Sequence, residues 1–126
     1  MTVDIAIEAA GPLFEGRIRP AITAACRESE DQIGAQASAN LHTLMNHYFR
    51  HPTPYYETQV TLQRSGDQVV LHDRGIVYGP WLEGIGSRNQ TTRFKGYAHW
   101  RQAAQQTNAQ ASRLAENAFR RRLEGA

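Results

Sequence analysis

The sequence predicts an α+β fold in which a small antiparallel β-sheet is packed with two long α-helices. Two stretches with apolar residues at helical spacing, 20–49 and 97–123, predict the helices. Between them, residues of alternating polarity on either side of a Ser-Gly-Asp turn predict a β-hairpin. With 126 residues, of which 40% are hydrophobic, the chain has the size and composition of one globular domain covering 1–126.

The first fifteen residues are predicted to form an additional N-terminal arm or strand. Val3, Ile5 and Ile7 alternate with other residues at the period of a strand. Gly11-Pro12 and Gly16 then predict a turn or a short helical piece between them. Acidic residues stand where a signal peptide would carry lysines, and no apolar run approaches the ~20 residues of a membrane span. We therefore expect neither export nor membrane insertion.

Both predicted helices carry one apolar stripe. In the first helix the stripe consists of Ile22, Cys26, Ile33, Ala37, Leu41, Leu44 and Tyr48. In the second it consists of Tyr97, Trp100, Ala104, Ala111, Leu114, Ala118 and Leu123. Pro20 suits the first turn of a helix, where its missing N–H costs nothing. The motif His51-Pro52-Thr53-Pro54 ends the first helix, because residues before proline avoid the α region.

Three strands are predicted between the helices. Residues 56–62 and 68–72 form the hairpin, with Ser65-Gly66-Asp67 as its turn. A third strand is predicted over 76–82, where Gly79 and Pro80 indicate a bulge or an edge position. The stretch 84–95 is polar, contains glycine and has no periodicity, so it is predicted to be a loop, of a length that is often functional.

No motif for catalysis or for cofactor binding is found. His47 and His51 are four residues apart, as two metal ligands on a helix would be, but a third ligand is missing. Cys26 lies on an apolar stripe, where a thiol behaves as a small hydrophobic group. The glycines of 84–89 fit neither the phosphate-loop nor the dinucleotide pattern. The sequence therefore predicts a protein without enzymatic activity, metal or other cofactor.

The basic residues are almost all arginine, thirteen against the single Lys95, and the formal net charge is only +2. Arginine pairs with carboxylates and with phosphates and is enriched in protein interfaces. One cluster combines charge with aromatic rings and consists of Arg88, Arg93, Phe94, Lys95 and Tyr97. A second cluster is Arg120, Arg121 and Arg122 near the carboxyl end. Such clusters are typical both of protein interfaces and of nucleic-acid-binding surfaces, and both readings stay open.

The segment 77–84, Val-Tyr-Gly-Pro-Trp-Leu-Glu-Gly, is followed by 87–97 and by a long closing helix. This arrangement resembles small virion proteins encoded near the tail genes of long-tailed bacteriophages, a family of tail-completion and head-to-tail joining proteins. The matching positions are Tyr78, Pro80, Trp81, Glu83 and Gly84. The order of elements is also similar, from a long helix through antiparallel strands to a loop and a C-terminal helix.

The resemblance implies a structural virion protein that forms a ring, hexameric in this family, at the head-to-tail junction. The ring would join the connector to the tail tube around the DNA channel. The partners are then other copies of the chain, connector or adaptor and tail-tube proteins, and genomic DNA that passes without sequence-specific contact. The protein is expected in the virion, after synthesis in the bacterial cytoplasm. Whether it is a completion protein, a terminator or a connector is left open.

The candidate contact residues for a neighbouring subunit or partner are Tyr78, Trp81, Glu83, Arg88, Arg93, Phe94, Lys95 and Tyr97. The candidates for facing DNA or a partner are Arg120, Arg121 and Arg122. The acidic face of the first helix, with Glu28, Glu30 and Asp31, is expected to receive the basic loop of the next subunit. The alternative function is that of an accessory protein that binds DNA or RNA through the arginine-rich loop and the C-terminal helix.

Overall fold

The computed structural model describes residues 2–6, 18–49, 54–76 and 78–124. The elements are β1 (Thr2–Ala6), α1 (Ile18–Tyr48), α2 (Pro54–Gln59), β2 (Thr61–Ser65), β3 (Gln68–His72), α3 (Gly79–Glu83), α4 (Ser87–Thr91) and α5 (His99–Glu124). The predicted α+β class, with an antiparallel sheet against two long helices, is confirmed. The turn predicted around Leu13 and Phe14 and the helix-ending residues 51–53 lie outside the described residues.

The two long helices, α1 and α5, lie antiparallel and pack against each other along their length. Hydrogen bonds cross their seam at three levels, and the partners are Tyr48 with Gln102, Asn40 with Thr107 and Gln110, and Glu28 with Arg121 and Arg122. The side chains of Leu41, Trp100 and Ala103 are buried in the main apolar core. Because directional polar contacts recur along the apolar seam, the register of the two helices is fixed. Within the described part of the chain, neither these helices nor the shorter ones are apolar enough to span a membrane.

The sheet has the strand order β1-β3-β2, and both neighbouring pairs are antiparallel. Val69 and Leu71 of β3 are buried and face α1, whereas the alternate residues of β3 are more exposed. The hairpin turns at Gly66, whose positive φ of 60° suits a two-residue turn. On the helix side, Gly34 lets α1 approach the sheet, since a Cβ there would lie 2.8 Å from Cγ1 of Val69.

Two of the predicted strand segments are wrong. Residues 54–59 form the helix α2, so that the hairpin contains only 61–65 and 68–72. The segment predicted as the third strand, 76–82, contains the start of α3, where Pro80 occupies the first turn. The third strand of the sheet is instead β1, within the N-terminal segment that the sequence predicted as an arm or strand. Residues 7–15 of that segment lie outside the described residues.

The predicted loop 84–95 is also more regular than expected. It contains the short helix α4, and Gly84 ends α3 in the left-handed conformation with φ of 102°. Short helices of this kind are stabilised by their surroundings and leave no periodic signal in the sequence.

Replacement of Gly34 by leucine tests the close approach of α1 to the sheet. We expect Gly34→Leu to lower the free energy of unfolding by about 1–3 kcal/mol, because the stiff side chain of Val69 must move. Ala35→Leu, one residue away on the exposed face of α1, is the matched control and should change it by less than about 0.5 kcal/mol. Chemical denaturation measures both values. Equal stability of the two variants would contradict the packing described here.

Candidate functional site

All eight candidate contact residues lie in one segment, 78–97, which we call the cap. It comprises α3, α4 and the residues that connect them to α5. The two ends of the cap meet through the backbone: Tyr97 N–H donates to Leu82 O at 2.7 Å, and Ala98 N–H donates to Glu83 O at 3.1 Å. Gly84 permits this contact, because a Cβ on it would collide with the carbonyl oxygen of Lys95. The cap is therefore closed at its base.

Asn89 holds the interior of the cap together. Its Oδ1 accepts a hydrogen bond from Gly86 N–H at 2.9 Å, and its Nδ2 donates to the carbonyl oxygens of Trp81 and Phe94 at 3.0 and 3.1 Å. Lys95 Nζ donates to the carbonyl oxygen of Asn89 at 2.7 Å. Asn89 itself is buried. Because the side-chain amide of Asn89 is hydrogen-bonded to three backbone groups of the cap, the cap is an ordered unit rather than an irregular loop.

A row of aromatic rings connects the cap to α1. The ring centroids of Trp81 and Phe94 are 4.8 Å apart, those of Phe94 and Tyr97 are 5.0 Å apart, and Tyr97 stacks on Tyr48 at 5.3 Å. All four rings are half-buried. Contacts of this geometry add to the stabilisation from burial alone. Trp81, Phe94 and Tyr97 thus support the cap with one side of each ring and remain partly accessible.

Glu83 is buried beneath the cap, with only 4% of its surface exposed. Its Oε1 accepts a hydrogen bond from Trp100 N–H at 2.8 Å and its Oε2 accepts one from Arg101 N–H at 3.0 Å. These N–H groups belong to the first turn of α5, where the helix supplies no partner. Burial raises the pKa of Glu83 above its ordinary value, although the two backbone hydrogen bonds act to lower it. Glu83 therefore caps α5 within its own chain.

Asp73 is the second buried carboxylate, and its surface is fully covered. Its Oδ2 accepts a hydrogen bond from Tyr56 OH at 3.0 Å, and Tyr56 OH in turn accepts one from Trp100 Nε1–H at 2.9 Å. Gly75 N–H donates to Asp73 Oδ1 at 3.0 Å. Burial raises the pKa of Tyr56, which keeps its proton and remains a donor. Gly79 leaves room for Asp73, since a Cβ there would collide with the carboxylate.

His99 is a further buried titratable residue in this region, and none of its surface is exposed. Its Nδ1 lies 3.4 Å from Glu83 Oε1, and among the described residues neither ring nitrogen has a hydrogen-bond partner. The rings of Phe49, Tyr56 and Tyr97 surround it, with centroids 5.4, 6.2 and 6.3 Å away. Burial lowers the pKa of His99 to about 4, so the imidazole is neutral at pH 7.

The candidate contact residues differ in how accessible they are. Tyr78, Arg88, Arg93 and Lys95 are exposed, whereas Glu83 is used inside the chain. In the described part of the chain, no three His, Cys, Asp or Glu side chains are placed to hold a metal ion. The outward surface of the cap is thus basic, and the polar interior beneath it holds the cap to α5 and to the end of the sheet.

The second candidate group, Arg120 to Arg122, lies at the opposite end of the helical pair. Arg120 pairs with Glu116 at 2.9 Å, and Arg121 and Arg122 both pair with Glu28, at 3.0 and 3.1 Å.

The rest of the acidic face is also occupied, since Arg64 pairs with Glu30 at 2.9 Å and with Asp31 at 2.6 Å. The carboxylates of α1 that were expected to receive the basic loop of the next subunit are therefore paired with arginines of the same chain.

Sequence reasoning missed the buried roles of Tyr56, Asp73 and Trp100, which are hydrogen-bonded to one another, and of Asn89 and His99. The only local signal was Asp73 two residues before Gly75, a spacing typical of a turn closed by a side chain. Comparisons of the chain with protein-family models, with curated proteins and with solved structures found no match.

Removal of the Glu83 carboxylate tests its role as a helix cap. We expect Glu83→Ala to lower the free energy of unfolding by about 1–3 kcal/mol, because two backbone N–H groups lose their acceptor. Glu116→Ala, which breaks an exposed pair on the same helix, should have a far smaller effect. Thermal and chemical denaturation measure the difference. A loss in Glu83→Ala no larger than in Glu116→Ala would refute the capping role.

The neutral His99 makes stability depend on pH. The folded protein holds the pKa near 4, below the ordinary value of 6.5, so the unfolded chain binds the proton more readily. We expect the contribution of neutral His99 to the free energy of unfolding to be fully present above pH 6.5 and to fall by up to roughly 3 kcal/mol as the pH drops towards 4. Glu83, whose pKa is raised, partly opposes this loss in the lower part of the range. In His99→Leu the slope of unfolding free energy against pH should be shallower between pH 6.5 and 4; an unchanged slope contradicts the assignment.

Proposed function

We propose that this protein is a structural component of a tailed bacteriophage particle that assembles as a ring at the head-to-tail junction, with the cap as a contact surface. One observation carries the proposal: the cap is closed by internal hydrogen bonds, yet it turns Ile85, Arg88 and Arg93 outward. Ile85 is 67% exposed and adds an aliphatic side chain to this surface. A surface that is ordered before binding loses less conformational entropy when a partner docks.

The sequence resemblance supports the same proposal, because the matching residues build the cap. Pro80 stands in the first turn of α3, Glu83 caps α5, and Gly84 allows the base of the cap to close. A chain that presents a cap of this design needs those residue types at those positions. The residues shared with the phage proteins are therefore residues that build the cap. The assignment to a phage particle and to its head-to-tail junction is inferred from that resemblance.

Ring assembly needs two different complementary patches on each subunit. The cap and the arginines of 120–122 lie at opposite ends of the antiparallel helical pair, and because both carry arginines, neither complements the other in charge, so the contact between copies uses a further surface. A ring of such subunits, hexameric as the resemblance implies, would connect the head-side connector to the tail tube around a channel for DNA. The role is organisational, and it requires no chemical step from the buried groups beneath the cap.

Phage particles that lack this chain test the proposal. In a phage whose genome encodes it, we expect deletion of the gene to yield heads and tails that are not joined in electron micrographs. The wild-type gene supplied in trans should restore joined particles, and a gene carrying Arg88→Glu and Arg93→Glu should not. A control gene carrying Arg19→Glu and Arg113→Glu changes two exposed arginines outside the cap and should restore joining. Deleted particles that still carry attached tails and remain infectious would overturn the proposal.

A second candidate function is binding of DNA or RNA by an accessory protein. The observation in its favour is that Arg88, Arg93 and Arg101 are exposed and have no ion pair with other described residues. Contacts to phosphates release counterions, so such binding weakens steeply as salt increases. Titration of the purified protein with duplex DNA at two salt concentrations distinguishes the candidates. Tight, salt-sensitive binding by a monomer favours the accessory protein, and its absence favours the structural role.

A further inference from the structure

The chain separates its charges by sign between residues 73 and 101. Both carboxylates of this segment, Asp73 and Glu83, are buried. All five of its cations are exposed, and they are Arg74, Arg88, Arg93, Lys95 and Arg101. The segment therefore contributes no exposed carboxylate to the surface around the cap. A surface with one sign of charge attracts partners of the opposite sign.

The same segment also exposes apolar side chains. Ile85 is 67% exposed and Tyr78 is 41% exposed, and they stand just beyond the two ends of α3. Trp81 and Phe94 next to them are half-buried. A phosphate backbone offers nothing to cover an aliphatic side chain, whereas protein interfaces combine an apolar centre with a polar rim rich in arginine. The composition of the surface therefore favours a protein over a nucleic acid.

Within ranges 18–49, 54–76 and 78–124, a second copy of the chain offers few unpaired carboxylates for such a contact. The acidic residues of α1 are paired with Arg64, Arg121 and Arg122 of the same chain. Among the residues that the structure describes, the carboxylates of Asp67 and Glu124 are exposed and form no ion pair. They are single charges on a hairpin turn and at the end of α5. In the described part of the chain, a second copy therefore offers little unpaired negative charge, and a different protein is the better source of it.

We infer that the cap docks on a different protein, at a surface where carboxylates surround an apolar patch. Arg88 and Arg93 would pair with the carboxylates, and the apolar patch would cover Ile85 and Tyr78. The inference rests on the proposed function in taking the cap as a protein contact. It goes further in assigning the cap to a partner protein, so that the contacts between copies of the chain use other surfaces.

The experiment compares three polyanions as probes for the full chain at low salt: poly-L-glutamate, a random copolymer of glutamate and tyrosine, and duplex DNA. Fluorescence anisotropy of the labelled polymers measures binding. We expect the copolymer to bind more tightly than poly-L-glutamate at equal carboxylate concentration, and more tightly than the DNA. The double variant Arg88→Gln, Arg93→Gln should weaken copolymer binding by about tenfold, which is what two partly exposed ion pairs contribute.

Two further variants separate charge from apolar contact. Ile85→Ser should reduce binding of the copolymer to the level of poly-L-glutamate and leave poly-L-glutamate itself unchanged. The double variant Arg19→Gln, Arg113→Gln removes the same charge from exposed positions outside the cap and should leave copolymer binding within about twofold of the wild-type value. Circular dichroism checks that each variant is folded.

Several outcomes would overturn the inference. Tighter binding of DNA, unaffected by Ile85→Ser, would indicate a nucleic-acid surface. Equal losses in the two arginine double variants would indicate nonspecific attraction. Absence of binding to both acidic polymers would exclude an acidic partner. If sedimentation analysis shows that Arg88→Gln, Arg93→Gln abolishes self-association, the partner is a second copy. None of these results bears on whether deleted particles lose their tails, so failure here is distinguishable from failure of the proposed function.

Discussion

The structure depends on one buried carboxylate, Glu83, at the start of α5. The N–H groups of Trp100 and Arg101 have no partner within their helix, and Glu83 accepts a hydrogen bond from both. The start of a helix also carries a partial positive charge, which favours a negative group there. Because Glu83 is the last residue of α3, this contact fixes the position of the cap on the helical pair.

The position of the cap on α5 brings Trp100 into a buried chain of hydrogen bonds with Tyr56 and Asp73. Trp100 lies in the first turn of α5, which Glu83 caps. Its indole N–H donates a hydrogen bond to the hydroxyl of Tyr56 on α2, and that hydroxyl donates to the carboxylate of Asp73 at the end of the sheet. Buried polar groups are costly when unpaired, and here the indole N–H, the phenol and the carboxylate satisfy one another. The helical pair, α2 and the sheet are thereby joined through side chains that come from three distant parts of the chain.

Sequence reasoning succeeded where a signal repeats over many residues. The stripe of α1, including Ile22, Ile33 and Leu41, is buried as its spacing predicted. Short segments were ambiguous, because a few alternating residues fit a strand and a helical turn equally well. Tyr56 lies on a helix, and its hydroxyl contacts Trp100, which is 44 residues away in the chain. Partners at such separations leave no local pattern, and so the buried half of the site could not be predicted.

Gly84 and Gly96 meet where the cap closes, since a Cβ on Gly96 would collide with the backbone of Gly84. The residues that hold the cap in place lie at its base or inside it, with Asn89 at the centre, whereas Arg88 and Arg93 project from its rim. Substitutions at the rim leave the internal hydrogen bonds untouched. One scaffold can therefore acquire a new docking specificity by exchanging a few rim side chains, while its architecture is inherited unchanged.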